Sequence, residues 1–93
     1  MLMKIKWSQD ALRDMRRISD YISQDNRPAA KKLIQGFRRS AARLVQQPFL
    51  GRRTEFEHVR ELVVHPNYLL SYRVSAEIVE VLQVWHVAQS RYH

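Results

Sequence analysis

The sequence predicts an α+β fold: a strand, a helical hairpin, then a three-strand meander, forming one antiparallel sheet packed against two helices. Three observations carry this prediction. Apolar residues repeat at helical spacing from Ala11 to Leu44, and the pattern turns to strand-like alternation after Glu57. Arg27-Pro28 and Gln47-Pro48 punctuate the helical part. The connections are short, which favours antiparallel neighbours within the helix pair and within the meander.

Each element has its own local reason. In Met3 to Trp7, the apolar Met3, Ile5 and Trp7 alternate with Lys4 and Lys6, as in a half-buried strand. Ser8 offers an N-cap oxygen, and Asp10 and Asp14 sit near the positive end of the helix that follows. Leu12, Met15, Ile18 and Ile22 form its apolar side, flanked by Ala11, and it should stop near Asp25-Asn26. Pro28 suits the first turn of a second helix, in which Ala30, Leu33, Ile34, Phe37, Ala41 and Leu44 share one side. Gly36 inside that helix costs about 1 kcal/mol against alanine, which points to close packing there. Pro48 to Glu57 reads as a loop centred on Gly51-Arg52-Arg53. Three strands follow: Val59 to Val64, Tyr68 to Ser75 and Ile78 to His86, with turns at Pro66-Asn67 and Ala76-Glu77. The third is apolar on both faces for much of its length, which suggests a central position.

At 93 residues, the chain is expected to form one domain, residues 1–93, around one modest core. Without cysteine there is no disulfide scaffold, Cys-type zinc site or thiol catalysis. Two glycines cannot build a Gly-rich phosphate loop. No apolar run is long enough to span a bilayer, and residues 1–7 lack the pattern of a signal peptide, so the cytoplasm is the expected compartment and no membrane partner is expected.

The net charge of +7 is concentrated. Arg27 to Arg60 holds nine bases and two acids, while the remainder balances. Such an Arg-rich field fits a nucleic acid or an acidic protein partner; the alternative is a merely solvated helix face. His58, His65, His86 and His93 are seven or more residues apart and match no metal-binding spacing, so neither metal nor cofactor is expected. No GxSxG motif supports a Ser/His/Asp nucleophile. A glutamate at Glu55 or Glu57 could serve as a base on a ribose hydroxyl, with Arg60, Arg73 or His86 as acid or charge stabiliser.

Several segments together carry a resemblance. They are Trp7, Ala11, Asp14, Ile18 and Tyr21-Ile22; Pro28-Ala29-Ala30; Pro48 and Gly51-Arg52; Val59-Arg60-Glu61-Leu62; and His65-Pro66-Asn67-Tyr68. Tyr72-Arg73-Val74 and Val81 through His86 complete them. In this order and spacing, from about Lys4 to Gln89, the chain resembles the RelE/ParE superfamily of toxins from type II toxin–antitoxin systems. The His65-Pro66-Asn67-Tyr68 turn followed by Tyr72-Arg73-Val74 is similar to the ParE-like branch.

The resemblance implies two activities. RelE-like members cut messenger RNA in the ribosomal decoding site and need a basic cluster on the concave sheet face plus a C-terminal aromatic or imidazole. ParE-like members poison DNA gyrase by binding. Here the family's two strand lysines fall around Val59 or Arg60 and Glu61, its arginine after the turn falls on Leu69, and its last arginine falls near Val87. Glu57, Arg60 and His86 are the remaining nuclease candidates, with Tyr92 as the terminal aromatic. The resemblance therefore favours the gyrase reading, with no catalytic residue and with Arg52, Arg53, Arg60, Arg73 and His86 as target contacts. It implies a cognate antitoxin, for which Val63, Leu69, Arg38 and Arg39 are candidate contacts and Phe49 and Leu50 further apolar ones. Gyrase is the expected target with the ribosome as alternative, and operator DNA is expected to be met only through the antitoxin complex. An inactive toxin-like binding module is the third reading.

Overall fold

A computed structural model describes residues 3–89, so Tyr92 and His93 lie outside the described residues. Its elements are β1 (Lys4–Trp7), α1 (Gln9–Ser23), α2 (Arg27–Gln46), β2 (Arg52–Arg53), β3 (Val59–His65), β4 (Tyr68–Val74) and β5 (Ile78–His86), followed by a 3₁₀ turn at Val87–Gln89. The two helices pack on one face of a five-strand sheet with the order β1-β5-β4-β3-β2. The predicted class holds; β5 is an interior strand between β1 and β4, while β4 holds the middle of the sheet. Two features differ from the sequence reading. β1 pairs with β5 in parallel, Lys4 beside Ile78 and Trp7 beside Val81. The helical hairpin carries the chain far enough to return in the same direction, whereas only the meander is bound by short turns. Within the predicted loop, Arg52–Arg53 adds a short edge strand antiparallel to β3.

Local chemistry sets the helix limits. Ser8 caps α1, its Oγ accepting from the Ala11 N–H at 3.0 Å and donating to the Leu82 carbonyl at 2.8 Å. One hydroxyl thus starts the helix and fastens it to the sheet. Asn26 Oδ1 accepts from the Ala29 N–H at 3.0 Å, and Pro28 occupies the first turn of α2. Between the helices and the sheet lie Ala11, Met15, Phe37, Ala41, Leu70, Val81 and Val84. A second cluster joins Leu44, Tyr72 and Val79. Gly36 marks no close approach: a Cβ there would meet only Arg39 Nη2, at 3.8 Å.

Two irregularities shape the sheet. The β4–β5 register shifts between Ser71 and Tyr72, so Ser71 faces Gln83 while Tyr72 faces Val81. Leu82 is therefore an extra residue in β5, a bulge that bends the strand. Past Trp7, the edge of β5 away from β4 has no strand partner among the described residues, and Ser8 and α1 supply partners instead: Ser8 N donates to the Val81 carbonyl, and Asp14 Oδ2 accepts from the Val84 N–H at 3.0 Å.

Candidate functional site

The loop between α2 and β3 is braced from below. Tyr72, fully buried, donates its hydroxyl to the Pro48 carbonyl at 2.9 Å and accepts from the Gly51 N–H at 2.8 Å. Gly51 lies so close to the sheet that a Cβ would sit 2.6 Å from the Glu61 carbonyl oxygen. Arg60 Nη1 donates to the Gly51 carbonyl at 2.8 Å, and its guanidinium lies 5.0 Å from the Phe49 ring centre. Burial raises the Tyr72 hydroxyl above its ordinary pKa, opposed by the Gly51 hydrogen bond and the Arg60 charge. The hydroxyl therefore stays protonated and able to donate at neutral pH.

Held this way, the loop turns Phe49 and Phe56 outward, 66% and 58% exposed. Arg52 and Arg53 are exposed beside them. A recess of about 660 Å³ opens among Phe49, Arg53, Phe56, His58 and Arg60. His58 closes the loop with φ of 67°, a left-handed conformation that histidine tolerates better than most residues. Its side chain lies 3.3 Å from the Glu57 carboxylate.

The helix-free face of the sheet carries a second recess, of about 380 Å³, among Phe56, Glu61, Ser71, Arg73, Gln83 and Trp85. Glu61 and Ser71 are both buried there. Arg52 donates to Glu61 Oε1 from Nε at 3.3 Å and from Nη2 at 3.2 Å, and Trp85 Nε1 donates to Ser71 Oγ. These contacts satisfy polar groups that burial would otherwise penalise.

The candidate residues from the sequence are dispersed. Arg60 belongs to the helix side of the sheet, opposite Tyr72, and is spent on loop carbonyls and Phe49. Arg73 is exposed on the other face, near Val59 and Glu80. His86 sits at the far end of β5, beside α1, in a recess with Asp14, Arg17, Tyr21 and Tyr68. Its ring meets Tyr68 edge-on at 5.1 Å, and its Nδ1 accepts from the Ala88 N–H at 3.0 Å. Glu57 lies at the opposite end, where His58 bonds to Val74, while Tyr68 pairs with His86. The six steps of β4 between those ends span about 20 Å. Glu57, Arg60 and His86 are thus not brought together. Arg52, Arg53 and Arg60 do share one loop region.

Of the apolar candidates, Val63 is 61% exposed but Leu69 only 5%. Leu69 is flanked by Val63 and Trp85 on neighbouring strands, so it is a buried residue and not an open contact. Arg38 and Arg39 are exposed on α2, with Arg38 stacked over Trp7 at 5.6 Å. Among the described residues, no group of three His, Cys, Asp or Glu side chains could hold a metal ion, and no helix is long and apolar enough to cross a membrane. Sequence reasoning missed Tyr72 as the loop's anchor and Asp14 as the cap of the β5 edge. A lone aspartate on a helix's inner side was a weak signal for the second; nothing local signalled the first.

The family profile described as "ParE toxin of type II toxin-antitoxin system, parDE" matches residues 5–91. Toxin RelE2 of Caulobacter vibrioides is 32% identical over 88 residues, covering 95% of this chain and 99% of that protein. The chromosomal ParDE toxin–antitoxin system from P. aeruginosa contains a chain that superposes with a TM-score of 0.79 at 25% identity, covering 91% of this chain and 96% of that one. The RelBE2 toxin–antitoxin complex from Mycobacterium tuberculosis shares the fold, with a TM-score of 0.64 at 17% identity over 92% of this chain and 99% of that one.

Proposed function

The chain belongs to the ParE toxin family of type II toxin–antitoxin systems, and from that premise we propose that it inhibits DNA gyrase by binding and is held off by a cognate antitoxin. The observation that carries the gyrase reading is the separation of the groups a nuclease would need. Cleaving RNA requires a base, an acid and a charge stabiliser around one phosphate. Glu57 and His86 stand at opposite ends of the sheet, and Arg60 is turned to the loop carbonyls. Inhibition by binding requires no such convergence. It requires a rigid, exposed surface with anchors, and the braced loop presents Phe49, Phe56, Arg52 and Arg53, residue types that dominate binding energetics when they insert into a partner. Arg73 extends that surface onto the helix-free face. His86, beside α1, lies apart from it. Because Tyr72 and Arg60 fix the loop beforehand, little ordering cost remains at binding.

The antitoxin reading rests on family membership and on the company the fold keeps in the ParDE and RelBE2 assemblies. Exposed Val63 remains the proposed apolar anchor for the antitoxin on this chain, with Arg38 and Arg39 as charged contacts at the rim of that interface. The proposed site of action is the cytoplasm, where gyrase works.

One experiment tests the reading. Purified protein is added to a gyrase supercoiling reaction and separately to a coupled translation reaction, each with and without antitoxin. Expected are loss of supercoiling, accumulation of cleaved DNA, intact transcripts and relief by antitoxin. Rapid ribosome-dependent cleavage of messenger RNA with gyrase unaffected would overturn it in favour of a RelE-like nuclease. Inertness in both reactions would leave the toxin-like binding module instead.

A further inference from the structure

Over Arg27–Gln46, α2 carries six bases and no acid: Arg27, Lys31, Lys32, Arg38, Arg39 and Arg43. At 3.6 residues per turn, these six fall within an arc of about 160°. The buried Ala30, Phe37, Ala41 and Leu44 lie on the other side of the helix. All six bases are exposed, and among the described residues none is in an ion pair. α1 is built differently: Arg13 pairs with Asp10 at 3.1 Å, and Arg17 lies 3.8 Å from Asp14. Arg38 lies over the Trp7 ring at 5.6 Å; with no carboxylate among the described residues paired to any of the six, the charge on α2 is left unneutralised at the surface.

The arc's composition narrows its partner. A protein interface places an apolar or aromatic anchor at its centre. Here the centre holds Gln35 and Ala42, and none of the exposed large apolar side chains lies on α2. A single-stranded nucleic acid is held largely by stacking on aromatic rings, and the arc offers none. A duplex asks only for phosphate contacts. Twenty residues of helix are about 30 Å long, alongside which B-DNA presents roughly 18 phosphate charges. The major groove of B-DNA, about 12 Å wide, admits an α-helix, whereas that of A-form RNA is too narrow.

We propose that the outer face of α2 binds the phosphate backbone of duplex DNA directly and without reading sequence. The proposal goes beyond gyrase inhibition and stands without it. It also departs from the expectation that the chain meets DNA only through its antitoxin.

The test is fluorescence anisotropy of the full chain on a labelled 30-base-pair duplex of arbitrary sequence, from 50 to 200 mM salt. Four to six phosphate contacts predict a slope of log K against log salt of about −4 to −5, and an affinity loss of roughly 10²- to 10³-fold across that range. The combined variant Lys31→Gln, Lys32→Gln, Arg39→Gln, Arg43→Gln should make the slope shallower by about 3 to 4. A control with the same loss of charge, Lys4→Gln, Lys6→Gln, Arg13→Gln, Arg16→Gln, should keep most of the slope. A flat salt dependence in the unmodified chain would overturn the proposal without any variant. So would equal losses in the two variants, or stronger competition by single-stranded DNA, double-stranded RNA or polyglutamate than by unlabelled duplex.

Discussion

Replacing Tyr72 with phenylalanine removes one oxygen and leaves the ring in place. That oxygen joins the sheet to the loop twice, donating to the Pro48 carbonyl at 2.9 Å and accepting from the Gly51 N–H at 2.8 Å. A made hydrogen bond contributes roughly 1 kcal/mol, and a buried donor left without an acceptor costs about 1–3. The Arg60 bond to the Gly51 carbonyl survives, so the loop is loosened and not released. The expected loss is about 2–3 kcal/mol. Urea denaturation followed by tryptophan fluorescence should show a lower midpoint with an unchanged m-value. In a domain of this size, the melting temperature should fall by roughly 10–20 °C. Alkaline pH supplies a second arm. Burial raises the Tyr72 pKa in the folded chain, while the unfolded chain releases that proton near pH 10. Above pH 10 the unfolded state binds fewer protons, so stability is full below that pH and falls towards the raised pKa by up to about 1.4 kcal/mol per pH unit. The Tyr72→Phe chain should lack this share of the slope. A loss below about 0.5 kcal/mol, or an alkaline slope identical in both chains, would refute the reasoning.

Gly51→Ala should cost more than about 2 kcal/mol, because its Cβ meets the Glu61 backbone oxygen at 2.6 Å. Gly36→Ala, facing only an Arg39 side-chain atom at 3.8 Å, should stabilise by about 0.5–1 kcal/mol; paired melting curves compare the two. Asp14→Ala removes the acceptor of the Val84 N–H, and hydrogen exchange at that amide should accelerate with a stability loss of roughly 1–2 kcal/mol. Val63→Glu should leave folding within about 0.5 kcal/mol and weaken antitoxin binding in a calorimetric titration, whereas Leu69→Glu should destabilise the chain itself by burying a carboxylate. An unchanged antitoxin Kd for the first, or an unchanged melting temperature for the second, would count against this assignment.

Most of the architecture was legible in the sequence, because its causes are local. The spacing from Ala11 to Leu44, the cap at Ser8, the proline at the start of α2 and the alternation in β4 each act over a few residues. The charge on α2 was legible for the same reason. Two sequence inferences failed where a neighbour from elsewhere in the chain decides. Gly36 was read as a packing site, but no element approaches it. Residue type makes Leu69 a candidate antitoxin contact, but the strands on either side bury it.

Only the tertiary structure decided how distant residues meet. The parallel pairing of β1 with β5 joins segments separated by both helices. The Tyr72 hydroxyl reaches Gly51 across 21 positions, and Asp14 reaches Val84 across 70. The separation of Glu57, Arg60 and His86, which bears most on function, also belongs here. Residue type and order name the groups available for chemistry. Strand register, the bulge at Leu82 and the face each side chain occupies fix the distances between them. Those follow from packing the whole chain at once, and a shift of one residue in register would move a strand's side chains to the opposite face of the sheet.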